Sequence, residues 1–208
     1  KEDSVSLTLR IGQSTGGIRT ATFTSMPRQG AEFPAWLMLR GKATTDKAKD
    51  MLDILRDILL FARLDNRERF QQIVLEEKAG LESSLARIGH QIANLRLRAR
   101  FSPASWAAEQ IDGISYLFAL RQLAEQVSSD WPAVLSRLET MRYSLITQQA
   151  MLANLTFDGI RADRFQPRLA EFLEQLPNHS PQIQPWDFPG SGLAEGLALP
   201  TQVNFVAK

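Results

Sequence analysis

The chain has no cysteine, which removes disulfides and thiolate chemistry outright. That usage is compatible with a reducing compartment, whether cytoplasm or an organelle matrix or stroma. Histidine is nearly as scarce. His90 and His179 are the two in 208 residues, so a metal site or a histidine-based catalyst has little to draw on. Long apolar runs are missing too. The longest cluster, Ile58-Leu59-Leu60-Phe61-Ala62, falls far below the roughly 20 residues of a membrane-spanning helix. No stretch reads as a secretory signal or a transit-like leader. An excess of one charge is absent as well: the formal net charge of +1 gives no bias toward nucleic acid or a membrane surface.

What remains is ordinary globular material. Hydrophobic residues at 44% and charged residues at 23% suffice for one domain with a real core and a small tail. Val5, Leu7, Leu9 and Ile11 alternate with polar residues, the period of a half-buried strand. Gly16-Gly17 then reads as the turn of a hairpin onto a second strand over residues 18–26. After a turn around Arg28 to Glu32, residues 35–39 form the next strand.

Helices follow. Thr44 or Thr45 offers a cap, and Leu52, Leu55, Ile58 and Leu59 recur at helical steps. Asp65 caps a second helix carrying Phe70, Val74, Leu81, Leu85 and Ile88, which runs on or kinks near Gly89. Ser102-Pro103 starts another, with proline where its missing N–H costs nothing. Gly113 interrupts it, and Asp130-Trp131-Pro132 opens a further helix. Residues 151–157 alternate as a strand, and Phe165, Leu169, Phe172 and Leu176 mark a final helix. From 177 to 200, prolines and glycines replace any period, the texture of a linker that docks on the domain surface through Trp186. The expected class is α+β: a mostly antiparallel sheet with a multi-helix layer, residues 44–147, on one face. Leu55, Ile58, Leu59, Phe70, Val74, Leu138, Leu145, Leu155 and Leu169 are the expected core.

Several patterns invite chemistry and are better explained without it. Arg87, Arg96, Arg98 and Arg100 form a basic segment, yet at 100° per residue Arg98 points away from Arg96 and Arg100. Such a helix is solvated or ion-paired rather than aimed at phosphates. Glu76, Glu77 and Glu82 lie among basic residues, where surface pairing is the default. Gly12, Gly16 and Gly17 resemble a phosphate loop only in their glycines, because no Lys-Ser/Thr and helix start follows.

The motifs Arg40-Gly41-Lys42-Ala43, Glu82-Ser83-Ser84, Gly89-His90 and Gly113-Ile114-Ser115-Tyr116 occur in that order, ahead of a terminal Pro200-Thr201-Gln202-Val203-Asn204-Phe205-Val206-Ala207-Lys208. Together they resemble the presequence-protease branch of the pitrilysin/insulinase (M16) zinc metallopeptidases. The resemblance implies a single parent chain of four related α+β domains in two halves, joined by a helical hinge and closing on a chamber that cuts unfolded peptides.

Zinc in that family is held by His-x-x-Glu-His, two imidazoles one helical turn apart with a glutamate that activates water. Here His90 is followed by Gln91-Ile92-Ala93-Asn94, and the motif is missing. The resemblance therefore implies the third, non-catalytic domain over residues 1–176, a linker over 177–200, and the first strand of a following domain over 201–208. Both ends read as cut, since the chain starts at Lys1 and stops in an alternating segment.

On this reading the segment forms part of the chamber wall and is inactive alone. It carries no catalytic residue, no metal ligand and no cofactor, and zinc belongs to the parent. Partners would be the other domains of the same chain and the peptide substrate, not nucleic acid or membrane. His90 is the one candidate for substrate contact, against a bland role as a partly buried imidazole. The alternative is a stand-alone interaction or scaffold domain of α+β class without enzymatic role.

Overall fold

The computed structural model describes residues 4–26, 35–157, 162–181, 186–190, 194–199 and 202–208. Its contacts divide the chain into two compact units, one of residues 1–20, 39–65 and 132–184 and the other of 21–38, 66–131 and 185–208. The described secondary structure is mostly helical with one small two-stranded antiparallel sheet, so the α+β class holds in its coarse sense.

In the first unit the chain opens on a helix, α1 (Ser4–Ser14), where alternation predicts a strand. Leu7, Arg10, Ile11 and Ser14 are the half-buried positions, spaced three and four apart, while Val5 and Leu9 stay 66% and 59% exposed. The alternating set thus contains a helical face, and its other members are surplus. Arg10 Nη2 ties that face to Asp57 Oδ2 of the next helix at 2.9 Å. Burial alone would push the Asp57 carboxyl up, but the hydrogen bonds and charges of Arg10 and Arg56 together outweigh it and hold the group below its ordinary range.

Gly17, with φ +108, turns the chain out of α1 into β1 (Ile18–Thr24). The strand that pairs with β1 is β2 (Ala35–Gly41), not the residues before Gly16. Past β2, the Lys42 N–H donates to the Gly17 carbonyl at 3.3 Å and the Gly16 N–H donates to the Lys42 carbonyl at 2.6 Å. The turn expected at Arg28 to Glu32 lies outside the described residues. Every residue of both strands is at least partly exposed, so the expected helix-covered sheet is a bare ribbon among the described residues.

A short 3₁₀ turn (Thr45–Lys47) leads into α2 (Ala48–Phe61). Thr44 does not cap it; its hydroxyl bonds the Asp46 carboxylate instead, which holds that carboxyl below its usual range. Ala48, Leu52 and Ile54 are buried, and Leu55, Ile58 and Leu59 are half-buried. Besides α1, α2 packs against α7 (Ala162–Glu174), where Arg56 Nη1 reaches Gln175 Oε1 at 2.9 Å. The helix α6 (Trp131–Leu145) buries Val134, half-buries Leu138 and leaves Leu145 exposed.

Beyond α6, the fully buried Thr147 donates to the His179 carbonyl and accepts from its N–H, pinning residues 176–180 to the end of that helix. Residues 151–157 carry no strand, and Leu155 is exposed. Phe157 stacks on Phe165 at 5.3 Å instead of pairing its backbone. Of the expected core, Leu145 and Leu155 are therefore wrong: Leu155 lies in a segment that forms no strand, and Leu145 ends a helix that forms as expected but leaves that position in solvent.

The second unit is built on α3 (Arg67–Arg98), 32 residues and so about 48 Å long. It runs unbroken through Gly80 and Gly89. Asn66, one residue beyond the expected Asp65, caps it by accepting from the Arg69 N–H at 3.0 Å. The cap of α4 (Pro103–Asp112) is as expected: Ser102 accepts from the Ser105 N–H at 3.1 Å, with Pro103 first in the helix. Gly113 separates α4 from α5 (Ile114–Ser129). Leu85 and Ile92 of α3 meet Ile114 and Leu117 of α5 in the core, with Leu81, Ile88 and Leu199 packed against it. Phe70 of α3 lies against Trp131 at 5.7 Å.

Candidate functional site

The densest polar arrangement among the described residues is at the α4–α5 junction. Glu109, near the end of α4, is fully buried. A charge in that position is costly unless hydrogen bonds replace its water. Three donors do so: the Ser115 N–H to Oε1 at 3.1 Å, and Gln110 Nε2 and Arg96 Nη1 to Oε2 at 2.9 and 3.2 Å.

Ser115 N–H is one of the amides in the first turn of α5 that have no partner within their own helix, so the buried carboxylate serves as that helix's cap from a distance. Its hydroxyl accepts from Arg96 Nη1 at 3.1 Å. Gly113 has to be glycine for this to work. A Cβ there would lie 2.5 Å from the Glu109 carbonyl oxygen, 2.7 Å from its Cγ and 2.8 Å from Oε1. Gly113→Ala is expected to cost about 1–3 kcal/mol, read from urea unfolding. A neutral result would mean that Glu109 does not sit under this turn.

Tyr116 completes the motif. Burial, with the negative charges of Glu77 and Asp112, pushes its phenol above the ordinary value.

Arg96 also faces outward. Its Nε and Nη2 grip Glu195 at 2.8 and 3.0 Å, a bidentate pair, and Arg100 adds a longer contact to Glu195 at 3.7 Å. The hydrogen bond to Glu195 is the main reason that the Arg96 guanidinium holds its proton above the usual range, with burial opposing. The same bond holds the Glu195 carboxyl below its ordinary value of 4.5, again against burial.

A group whose pKa is lowered on folding stabilises above its unfolded value and loses that contribution as pH falls through its folded value. Amide protection over residues 194–199 is therefore expected to be flat above about pH 4.5 and to fall below it, as measured by hydrogen exchange. Unchanged protection down to about pH 2.5, below the ordinary range of a carboxylate, would contradict the pairing.

The candidate histidine, His90, lies on α3 and is exposed, so the partly buried imidazole expected of it is not found. Its ring is 6.3 Å from that of Phe205, tilted by 44°. The neighbouring Gly89 has its own reason to be glycine: a Cβ built there would overlap the edge of the Phe205 ring. His179 stacks on Tyr143 at 4.2 Å. Among the described residues no three His, Cys, Asp or Glu side chains converge in a way that could hold a metal.

The basic segment is ion-paired in part, through Arg96 and Arg100, and Glu82 pairs with Arg121 at 2.8 Å. A groove of about 610 Å³, lined by Lys78, Arg121, Ala124, Glu125 and Ser128, lies open to solvent and presents no reactive constellation. No helix is long and apolar enough to cross a membrane among the described residues. Sequence reasoning missed Glu109 altogether. Its one signal was a glutamate among alanines on a helix, four residues ahead of a glycine.

The family model for the region associated with subfamily C of the M16 peptidases matches residues 1–123, and the chain belongs to that family. It is 35% identical to Presequence protease 1, chloroplastic/mitochondrial, of Arabidopsis thaliana, over 98% of this chain and 19% of that protein. It is 24% identical to Protein HypA of Clostridium perfringens (strain 13 / Type A), over 99% of this chain and 21% of that protein. The chain thus spans about a fifth of the length of these relatives.

Proposed function

We propose that this chain is a non-catalytic supporting domain of a zinc metalloendopeptidase that degrades unfolded peptides, and that it forms part of the wall of a closed peptide chamber. The observation that carries the reading is the identity to a presequence protease over 98% of the chain, in a sequence where His90 begins no His-x-x-Glu-His. Its partners would be other domains of the same polypeptide, with residues 177–208 leading to the next of them. Zinc and the water-activating glutamate would be supplied elsewhere in that polypeptide. His90, exposed on α3, remains the candidate for a peptide contact.

The purified chain is expected to retain no stoichiometric zinc after dialysis and to leave an unstructured peptide intact. One tightly bound zinc per chain, or cleavage that a chelator abolishes, would overturn the reading. Substituting His90→Ala in a longer, active polypeptide would test the contact: a raised KM with unchanged kcat is expected, and no change in either removes the role.

A further inference from the structure

Residues 186–200 read as linker and 201–208 as an alternating segment, yet the described part of this stretch is held at four separate places on the helical unit. Trp186 meets Trp106 of α4 edge to face, with ring centroids 5.8 Å apart. Glu195 is gripped by Arg96. Leu199 packs on the core formed by α3 and α5. Phe205 fills the notch that Gly89 leaves on α3. The anchors are aromatic, anionic, aliphatic and aromatic in turn, and each meets a complementary feature.

A passive connector needs none of this. Backbone ordering costs about 1–2 kcal/mol per residue, so a segment stays down only where its contacts exceed that cost. The receptor side is prepared for it: Gly89, inside a long helix where alanine would be the better helix former by about 1 kcal/mol, keeps open the space that the Phe205 ring occupies.

We propose that the segments carrying Trp186, Glu195, Leu199 and Phe205 are a built-in ligand of the helical unit, and that the face of α3 and its neighbours beneath them is a docking groove for a peptide carrying an acidic anchor followed by an aromatic one. Arg96 is the positioning residue. One edge of its guanidinium takes Glu195 and the other takes the buried Glu109 and Ser115, so the docked segment and the α4–α5 turn share one cation. The occupant is the chain's own segment, bound within one molecule. This inference does not depend on the peptidase reading.

The test uses the full chain and a fluorescent synthetic peptide of residues 186–208. The variant Trp186→Ala/Glu195→Gln/Phe205→Ala weakens the occupant and leaves the groove intact. It is expected to bind the peptide at least about tenfold more tightly than the unaltered chain, whose groove is filled, a difference of about 1.4 kcal/mol. Adding Gly89→Leu, which blocks the notch, is expected to abolish the gain. Equal binding to the unaltered chain and the variant, or binding to neither, would overturn the proposal.

Should the triple variant lose helical circular dichroism, Phe205→Ala alone carries the same comparison. Sedimentation of the unaltered chain reads the remaining outcome: a dimer that the triple variant dissolves would mean docking onto a second copy, and would overturn the intramolecular claim.

Discussion

Arg96→Met is expected to lower the unfolding free energy by about 3 kcal/mol, the lower end of the roughly 3–5 kcal/mol typical when one member of a buried ion pair is removed. The reason is Glu109, which is fully buried and would keep only the neutral donors Ser115 N–H and Gln110 Nε2. Those two bonds place the effect at the low end. The double variant Arg96→Met/Glu109→Leu removes both charges and is expected to recover part of the loss, because the apolar pair leaves no buried charge to desolvate while the Ser115 N–H loses its cap. Urea unfolding of the two variants decides. If the double variant is as unstable as the single one, the deficit lies in packing and not in a stranded charge.

Leu117→Ala is expected to cost a similar amount, about 3 kcal/mol within the roughly 2–5 kcal/mol range for such core truncations. Leu117 is 1% exposed and sits where α5 meets Leu85 and Ile92 of α3. Leu152, 77% exposed, is the control; truncating it is expected to change stability by less than about 0.5 kcal/mol. Thermal and urea unfolding should separate the two substitutions clearly. Comparable effects would place the core elsewhere than between α3 and α5.

The helices were legible because their signals are local. Ser102-Pro103 carries its own cap and start, and Gly113 marks the break between α4 and α5. The strands were legible in part: residues 18–26 and 35–39 do fall on β1 and β2, but elsewhere a period of two and a period of about four share members. Leu7 and Ile11 belong to both the alternating set and the half-buried helical face of α1, and nothing nearby separates the two readings. Residues 151–157 alternate just as well and form no strand, because pairing depends on a partner that sequence periodicity does not specify.

The site was legible only through its glycines. Gly89 and Gly113 stand out in the sequence, but what each makes room for is distant or hidden: Phe205, far along the chain, in one case and a buried carboxylate in the other. Glu109 itself gave little sign beyond its place among alanines ahead of Gly113, since an acidic residue on a helix is ordinarily a surface residue.

The sharing of Arg96 has a bearing on how such a chain can drift over generations. Positions 96, 109, 115 and 195 answer to a single guanidinium although they are widely scattered along the sequence. A lysine at 96 would keep the charge but could not present two edges at once. Lineages that change one of the four are therefore expected to pass through a weakened intermediate unless a second change follows. The tolerated paths should be few and ordered, with the partly exposed Glu195 free to vary first and the buried Glu109 last.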